Sequence, residues 1–170
     1  MLLTRAPLRE YLSLVLLFLP AGLFAVLLAT FRHDPRLGVS AAFPYLPGQF
    51  VLLALAGTVA TAGGVLDWRY HRNPLNMKIP KKEREAEAAA LGLGGLPMFG
   101  LMWGATLSAQ PTRYLLPIIV VLIYTVAAIC YDEFVFHRKR CGALENTYHR
   151  MLVFGNGIAW GSWFHYIYCS

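Results

Sequence analysis

Three short segments of this chain carry the same pattern of side chains that could do chemistry. Each has an acidic residue, three intervening residues, a histidine and then an arginine. These acid–histidine segments are 67–72 (DWRYHR), 133–138 (EFVFHR) and 145–150 (ENTYHR). Residues four apart in a helix share one face, so each segment can present a carboxylate and an imidazole to one point. The segments supply six candidate metal ligands: Asp67, His71, Glu133, His137, Glu145 and His149.

Three carboxylates and three imidazoles form a ligand set that suits a divalent transition metal. We expect iron first, then manganese or zinc, and the ligand count allows two ions with bridging carboxylates. Magnesium or calcium would favour oxygen ligands alone. Soluble di-iron bundles use Glu-x-x-His pairs. The spacing here is one residue longer, so the likeness is in ligand chemistry only. Haem is an alternative, but it would leave the repeated acids without a role. A network of structural ion pairs is another alternative.

The composition indicates an all-α integral membrane protein, in which the acid–histidine segments lie at the ends of helices. Of the 170 residues, 57% are hydrophobic and 14% are charged, against about 25% charged in soluble domains. The net charge of +6 comes from basic residues beside the apolar runs, which fits anionic lipid better than nucleic acid. The three cysteines show no paired spacing and therefore predict no disulfide framework.

The apolar runs predict about five membrane-spanning helices in one bundle, forming a single transmembrane domain over residues 1–170. They are expected at 11–30, 48–66, from after Pro80 to about Ser108, at 114–131 and at 148–168. The first run is longer than a signal-peptide core, so we interpret it as a retained span. The third begins with KKEREAE, which predicts a solvated start for Glu83 and Glu87.

Lysine and arginine are distributed unevenly between the two sides of this predicted bundle. Twelve lie on the side of the N-terminus and three on the other. The N-terminus is therefore predicted to be cytoplasmic and the C-terminus to lie on the opposite side, in a bacterial inner (plasma) membrane. All three acid–histidine segments then lie at the cytoplasmic boundary. His165 is 16 residues beyond His149, about 24 Å along a helix, so it cannot join them.

The short connection between the second and third segments predicts a tight antiparallel hairpin of the fourth and fifth helices. The second helix would then supply Asp67 and His71 from across the bundle. Asn156 shares a stripe with His149, and Cys130 shares a face with His137. We treat both as candidate supporting or substrate contacts, beside ordinary packing roles. The arginines of the three segments are candidates for binding lipid phosphate or pairing with acids: Arg72, Arg138 and Arg150.

These features favour a small membrane metalloprotein, of which a non-haem iron oxidoreductase acting on a lipid-soluble substrate is the leading hypothesis. No redox-cofactor motif is visible, so an electron-donor protein or a larger membrane complex would be its partner. The same ligands could hold zinc for hydrolysis. The chain could instead be a non-enzymatic accessory subunit with a glycine-rich docking face. The sequence contains no P-loop, G-x-S-x-G, H-E-x-x-H or dinucleotide fingerprint.

Overall fold

Apolar runs in this chain become helices, because a backbone in apolar surroundings can satisfy its hydrogen bonds only within its own segment. The structure is a computed structural model. It describes residues 47–71, 81–137 and 142–169, as well as 15, 17–19, 21, 22 and 25, and for residues 136 and 137 the backbone only. The described residues are nearly all helical. The predicted all-α class is therefore confirmed for this part of the chain.

Five α-helices make up most of the described residues: α1 (Gly48–Tyr70), α2 (Lys81–Ala89), α3 (Leu96–Leu107), α4 (Leu115–Asp132) and α5 (Ala143–Tyr168). A π-helix, Ala90–Gly95, joins α2 to α3, and a second, Glu133–His137, continues α4. A 3-10 turn, Pro111–Tyr114, leads into α4. The first π-helix ends just before Pro97. Proline lacks an N–H, and a π turn is one way to accommodate the lost helical bond.

Among the described residues, three helices are long and apolar enough to cross a membrane: Gly48–Tyr70, Lys81–Leu107 and Pro111–Val135. They match the second, third and fourth predicted spans. Helix α5 matches the fifth span in position and is 26 residues long. Helix α5 is less apolar than these three helices, because Asn156, His165 and several glycines interrupt its hydrophobic residues. Most of the predicted first span lies outside the described residues. The total of five spans and the orientation of the termini stay predictions.

The closest helix packing joins α1 and α5, which run antiparallel. A Cβ on Gly63 of α1 would lie 2.7 Å from the carbonyl oxygen of Tyr148, and one on Gly155 of α5 would lie 2.7 Å from the amide nitrogen of Ala60. Such contacts let the two backbones touch. The predicted hairpin of α4 and α5 is therefore not the main contact of α5, because among the described residues α5 packs chiefly on α1. Small residues on α1 and α5 allow these two helices to pack closely, and the short connection between α4 and α5 does not by itself determine which helices pack together.

The buried core lies among α3, the first part of α4 and the last part of α5. It is formed by Met98, Met102, Ala105, Ile118 and Trp163. The Trp163 indole donates a hydrogen bond of 2.9 Å to the Thr106 hydroxyl, which ties α5 to α3. Thr106 in turn donates to the carbonyl of Met102 at 2.8 Å. The Trp163 indole nitrogen is thus satisfied by a neighbouring helix, and the Thr106 hydroxyl by its own helix.

Candidate metal centre

The end of α1 and the start of α5 bring together side chains from the first and third acid–histidine segments. His71 Nε2 lies 3.5 Å from Asp67 Oδ1 on its own helix and 3.3 Å from Glu145 Oε1 on α5. The side chains of His71 and Glu145 are 12% and 3% exposed. The first contact confirms that Asp67 and His71 share a face of one helix. The second reaches across the close α1–α5 packing.

The second segment joins the same region through its acid. Glu133 Oε2, in the π-helix after α4, lies 3.6 Å from His149 Nε2 on α5. Glu145 and His149 are one turn apart on α5, so this contact places α4 beside the first group of ligands. We call the resulting group of five residues the histidine cluster: Asp67, His71, Glu133, Glu145 and His149. It draws on the ends of three helices.

The sixth predicted ligand, His137, is described only in its backbone, which belongs to the π-helix Glu133–His137. A π turn is closed by a hydrogen bond between residues five apart, so the α-helical rule that Glu133 and His137 share a face does not transfer to it. The expected contribution of His137 therefore stays a prediction. Arg72 and Arg138 lie outside the described residues.

The remaining predicted residues lie at the surface of the described helices. Arg150 is exposed on α5, and Cys130 is an exposed free cysteine on α4. Asn156 is also exposed, seven residues beyond His149 and about 10 Å along α5. Within the described part of the chain, none of these three forms a hydrogen bond or ion pair with the histidine cluster. Their predicted supporting roles remain untested.

Two tyrosines of the acid–histidine segments border the cluster on one side. The rings of Tyr70 and His71 meet edge to face with centroids 5.5 Å apart, and the rings of Tyr70 and Tyr148 lie 6.3 Å apart. Both distances fall in the range of favourable aromatic pairs. The tyrosine that precedes each histidine in these two segments therefore packs at the α1–α5 contact. Tyr70 therefore contacts the ring of His71, whose side chain is 12% exposed.

A second group of acids was not expected from the sequence. Ligand atoms of Glu83, Glu87 and Asp132 all lie within 4.8 Å of one another, and among the described residues this acidic triad is the one group of three ligands so close together. Glu83 is 0% exposed and Asp132 is 4% exposed. The predicted solvated start of the third span is therefore wrong for Glu83, because this side of α2 packs against α4 rather than water.

The sequence did contain a signal for the acidic triad. Glu83 and Glu87 are four apart, and Asp132 immediately precedes Glu133 at the end of an apolar helix. The charged residues around Glu83 obscured the signal. Most of α2 faces away from the bundle, and its exposed charged residues include Lys81, Lys82, Arg84 and Glu85, whereas Glu83 lies on the one side that is buried. The adjacent positions of Asp132 and Glu133 place the acidic triad and the histidine cluster at the same end of α4.

Comparison with models of protein families, with curated proteins and with solved structures finds no match to this chain. The function of this chain is therefore inferred from the geometry of the histidine cluster and the acidic triad.

Proposed function

We propose that this chain is a small integral membrane metalloprotein whose histidine cluster holds a non-haem iron centre of one or two ions. In this proposal it is an oxidoreductase that acts on a lipid-soluble substrate at the cytoplasmic boundary of a bacterial inner membrane. The observation that carries the proposal is that His71 Nε2 lies 3.5 and 3.3 Å from carboxylate oxygens of two different helices.

These separations are typical of ligands that share an ion. Two ligand atoms, each about 2.1 Å from one ion at a tetrahedral angle, lie ~3.4 Å apart. A charge-assisted hydrogen bond between an imidazole and a carboxylate is shorter, about 2.7–2.9 Å. Three contacts within the histidine cluster measure 3.3, 3.5 and 3.6 Å. These pairwise distances are compatible with an ion among these groups, and such an ion would draw the ligands closer together, since no three of them have ligand atoms that all lie within 4.8 Å of one another.

The composition of the cluster favours iron over an alkaline-earth ion. It offers two imidazoles and three carboxylates, and mixed sites of this kind with open positions suit ferrous iron and O₂. The cluster is less compact than the acidic triad. Ligand binding would therefore involve rotation of Asp67 or Glu133, which are the more exposed carboxylates at 23% and 34%.

The position of the cluster supports a lipid-soluble substrate. It lies at the ends of two helices that are long and apolar enough to cross a membrane, so a molecule dissolved in the bilayer can approach it from the side. Oxidation of such a substrate by O₂ needs further electrons where one oxygen atom is reduced to water. An electron-donor protein, or a larger complex that contains one, is therefore part of this proposal.

Metal analysis of the detergent-purified protein tests the proposal directly. We expect stoichiometric iron in the wild type and O₂ consumption when a reductant and membrane lipid extract are added. In His149→Ala the iron content should fall severalfold, because this change removes one imidazole and leaves Glu133 without that neighbour. His165→Ala is the matched control, since it removes a histidine from the opposite end of the same helix and should leave the iron content unchanged.

Two other results would each replace the proposal with one of its alternatives. Stoichiometric zinc without O₂ consumption would indicate a zinc-dependent membrane hydrolase that uses the same ligands. Absence of any metal, together with a stably co-purified partner, would indicate an accessory subunit in which the histidine cluster is a structural ion-pair network. Equal iron in wild type and His149→Ala would reject the ligand assignment.

A further inference from the structure

The side chain of Asn146, which follows Glu145 in the first turns of α5, carries an oxygen atom that the packing of the helices does not explain. Its Oδ1 is buried and accepts no hydrogen bond from any residue that the structure describes. Buried polar atoms in folded proteins nearly always have a partner, and an exception often marks the place of a bound water or ion. Asn146 is therefore a candidate for a role at the adjacent histidine cluster.

A role in starting the helix does not account for this oxygen. Asparagine at the capping position of a helix accepts a hydrogen bond from a backbone N–H of the first turn. The residue in that position of α5 is Gly142, so Asn146 lies one turn too late. Its own backbone N–H already donates to the carbonyl oxygen of Gly142 at 3.0 Å. The next side chain, Thr147, is satisfied within the helix, because its hydroxyl donates to the carbonyl oxygen of Ala143 at 2.9 Å.

The position of Asn146 on α5 brings its amide beside His149. The two residues are three apart, so they are neighbours on one side of the helix, with Cβ atoms about 5–6 Å apart. Side chains in a helix lean toward its N-terminus, so the imidazole of His149 extends over the turn that contains Asn146. His149 Nε2 also lies 3.6 Å from Glu133 Oε2 of the π-helix after α4. The amide of Asn146 therefore adjoins the half of the histidine cluster that is formed by Glu133 and His149.

From this geometry we infer that Asn146 Oδ1 is a further oxygen ligand for an ion held by Glu133 and His149, an inference that rests on the proposed metal centre. Carbonyl oxygens, like carboxylate oxygens, are ordinary ligands of divalent cations. An amide adds an oxygen without adding a charge. That matters here because the cluster already contains three carboxylates, and a fourth would repel them whenever the site held no ion.

Asn146→Leu provides the principal test, because leucine has nearly the same shape and no polar atom. The purified protein is stripped with a chelator, and Fe²⁺ is titrated back without oxygen while melting curves are recorded. Without metal the variant should melt at or above the wild-type temperature, since a buried acceptor without a partner has been removed. Its dissociation constant for Fe²⁺ should rise at least about tenfold, and Fe²⁺ should raise its melting temperature less than that of the wild type. A lower melting temperature without metal, together with unchanged Fe²⁺ affinity, would overturn the inference and indicate a structural role.

Two further variants identify the atom that binds. Asn146→Asp keeps an oxygen in the same place, so it should retain Fe²⁺ at least as tightly as the wild type, and the added charge should lower its melting temperature without metal. If Asn146→Asp lost Fe²⁺ as fully as Asn146→Leu, the amide nitrogen would be the group required and the ligand assignment would be rejected. Thr147→Val is the matched control, since Thr147 is the exposed neighbour whose hydroxyl bonds within its own helix, and its Fe²⁺ affinity should equal that of the wild type.

The same titrations separate this inference from the proposed function. A wild-type protein that takes up no Fe²⁺ would reject the metal centre, and the role of Asn146 with it. Equal Fe²⁺ affinity in the wild type and Asn146→Leu, beside severalfold weaker binding in His149→Ala, would leave the metal centre in place and remove Asn146 from its ligands.

Discussion

The histidine cluster and the acidic triad both gather carboxylates at one end of the bundle, but they do so in different ways. The acidic triad holds three oxygen ligands within 4.8 Å of one another between α2 and the end of α4. The histidine cluster spreads its ligands over three helix ends and includes two imidazoles. All-oxygen sets suit magnesium, calcium or manganese, whereas mixed sets suit iron or zinc. Compactness alone therefore does not identify a redox centre, and it is the ligand types that lead us to propose iron at the histidine cluster.

The two groups also depend on different helix contacts. The histidine cluster exists because α1 and α5 approach closely at Gly63 and Gly155. The acidic triad depends on the packing of α2 against α4, beside the contact between Gly94 and Thr125. A change at the first contact should therefore disturb one group and spare the other.

Gly63→Leu should have the largest effect. The new side chain would meet the carbonyl oxygen of Tyr148 at 2.7 Å and the amide nitrogen of Leu152 at 2.8 Å, and backbone atoms cannot move aside as a flexible side chain can. Overpacking generally costs about 1–3 kcal/mol, and backbone contacts place this case at the upper end. We expect a lower melting temperature in detergent and loss of iron. A Cβ on Gly57 of the same helix would meet no atom of the described residues within 4 Å, so Gly57→Leu should retain both the melting temperature and the iron. Wild-type iron in Gly63→Leu would separate the histidine cluster from this packing.

Helical periodicity was sufficient to predict part of this site. The four-residue spacing placed Asp67 and His71 on one face, and the structure agrees at 3.5 Å. The positions of three helices that are long and apolar enough to cross a membrane also follow from hydropathy, because a run of apolar residues has few alternatives to a helix in apolar surroundings.

Contacts between helices were less accessible from the sequence. The contact between His71 and Glu145 links the first and third segments, and that between His149 and Glu133 links the third and second. Small residues on the helix faces determine which helices pack together here, and a short connection between two helices predicts their packing less well. The burial of Glu83 was missed for the same reason, since charge along a segment does not reveal which side of its helix another helix covers.

The next largest effect is expected when iron retention is compared between a variant of the histidine cluster and a variant of the acidic triad. His71→Ala removes the imidazole that lies near two carboxylates, so iron content should fall severalfold in elemental analysis of the purified protein. Glu87→Gln keeps the shape of the side chain and changes the acidic triad alone, so iron content should remain at the wild-type value. If Glu87→Gln lost iron as fully as His71→Ala, the two groups would form a single centre, and the distinction drawn between them would fail.

The smallest effect concerns two acids of α2 that differ in burial. Glu85 is 63% exposed and pairs with Lys81 at 3.6 Å, and exposed pairs of this kind contribute about 0–1 kcal/mol. Glu85→Gln should therefore leave the melting temperature nearly unchanged. Glu83 is fully buried and has polar or electrostatic contacts, so Glu83→Gln should destabilise the protein by about 1–3 kcal/mol, the usual result of removing one partner from a buried polar contact. Melting curves recorded in one detergent compare the variants directly. Equal melting temperatures would place Glu83 in water and remove the acidic triad from the comparison, whereas a higher melting temperature for Glu83→Gln would indicate that repulsion among the three carboxylates outweighs the contacts that Glu83 makes.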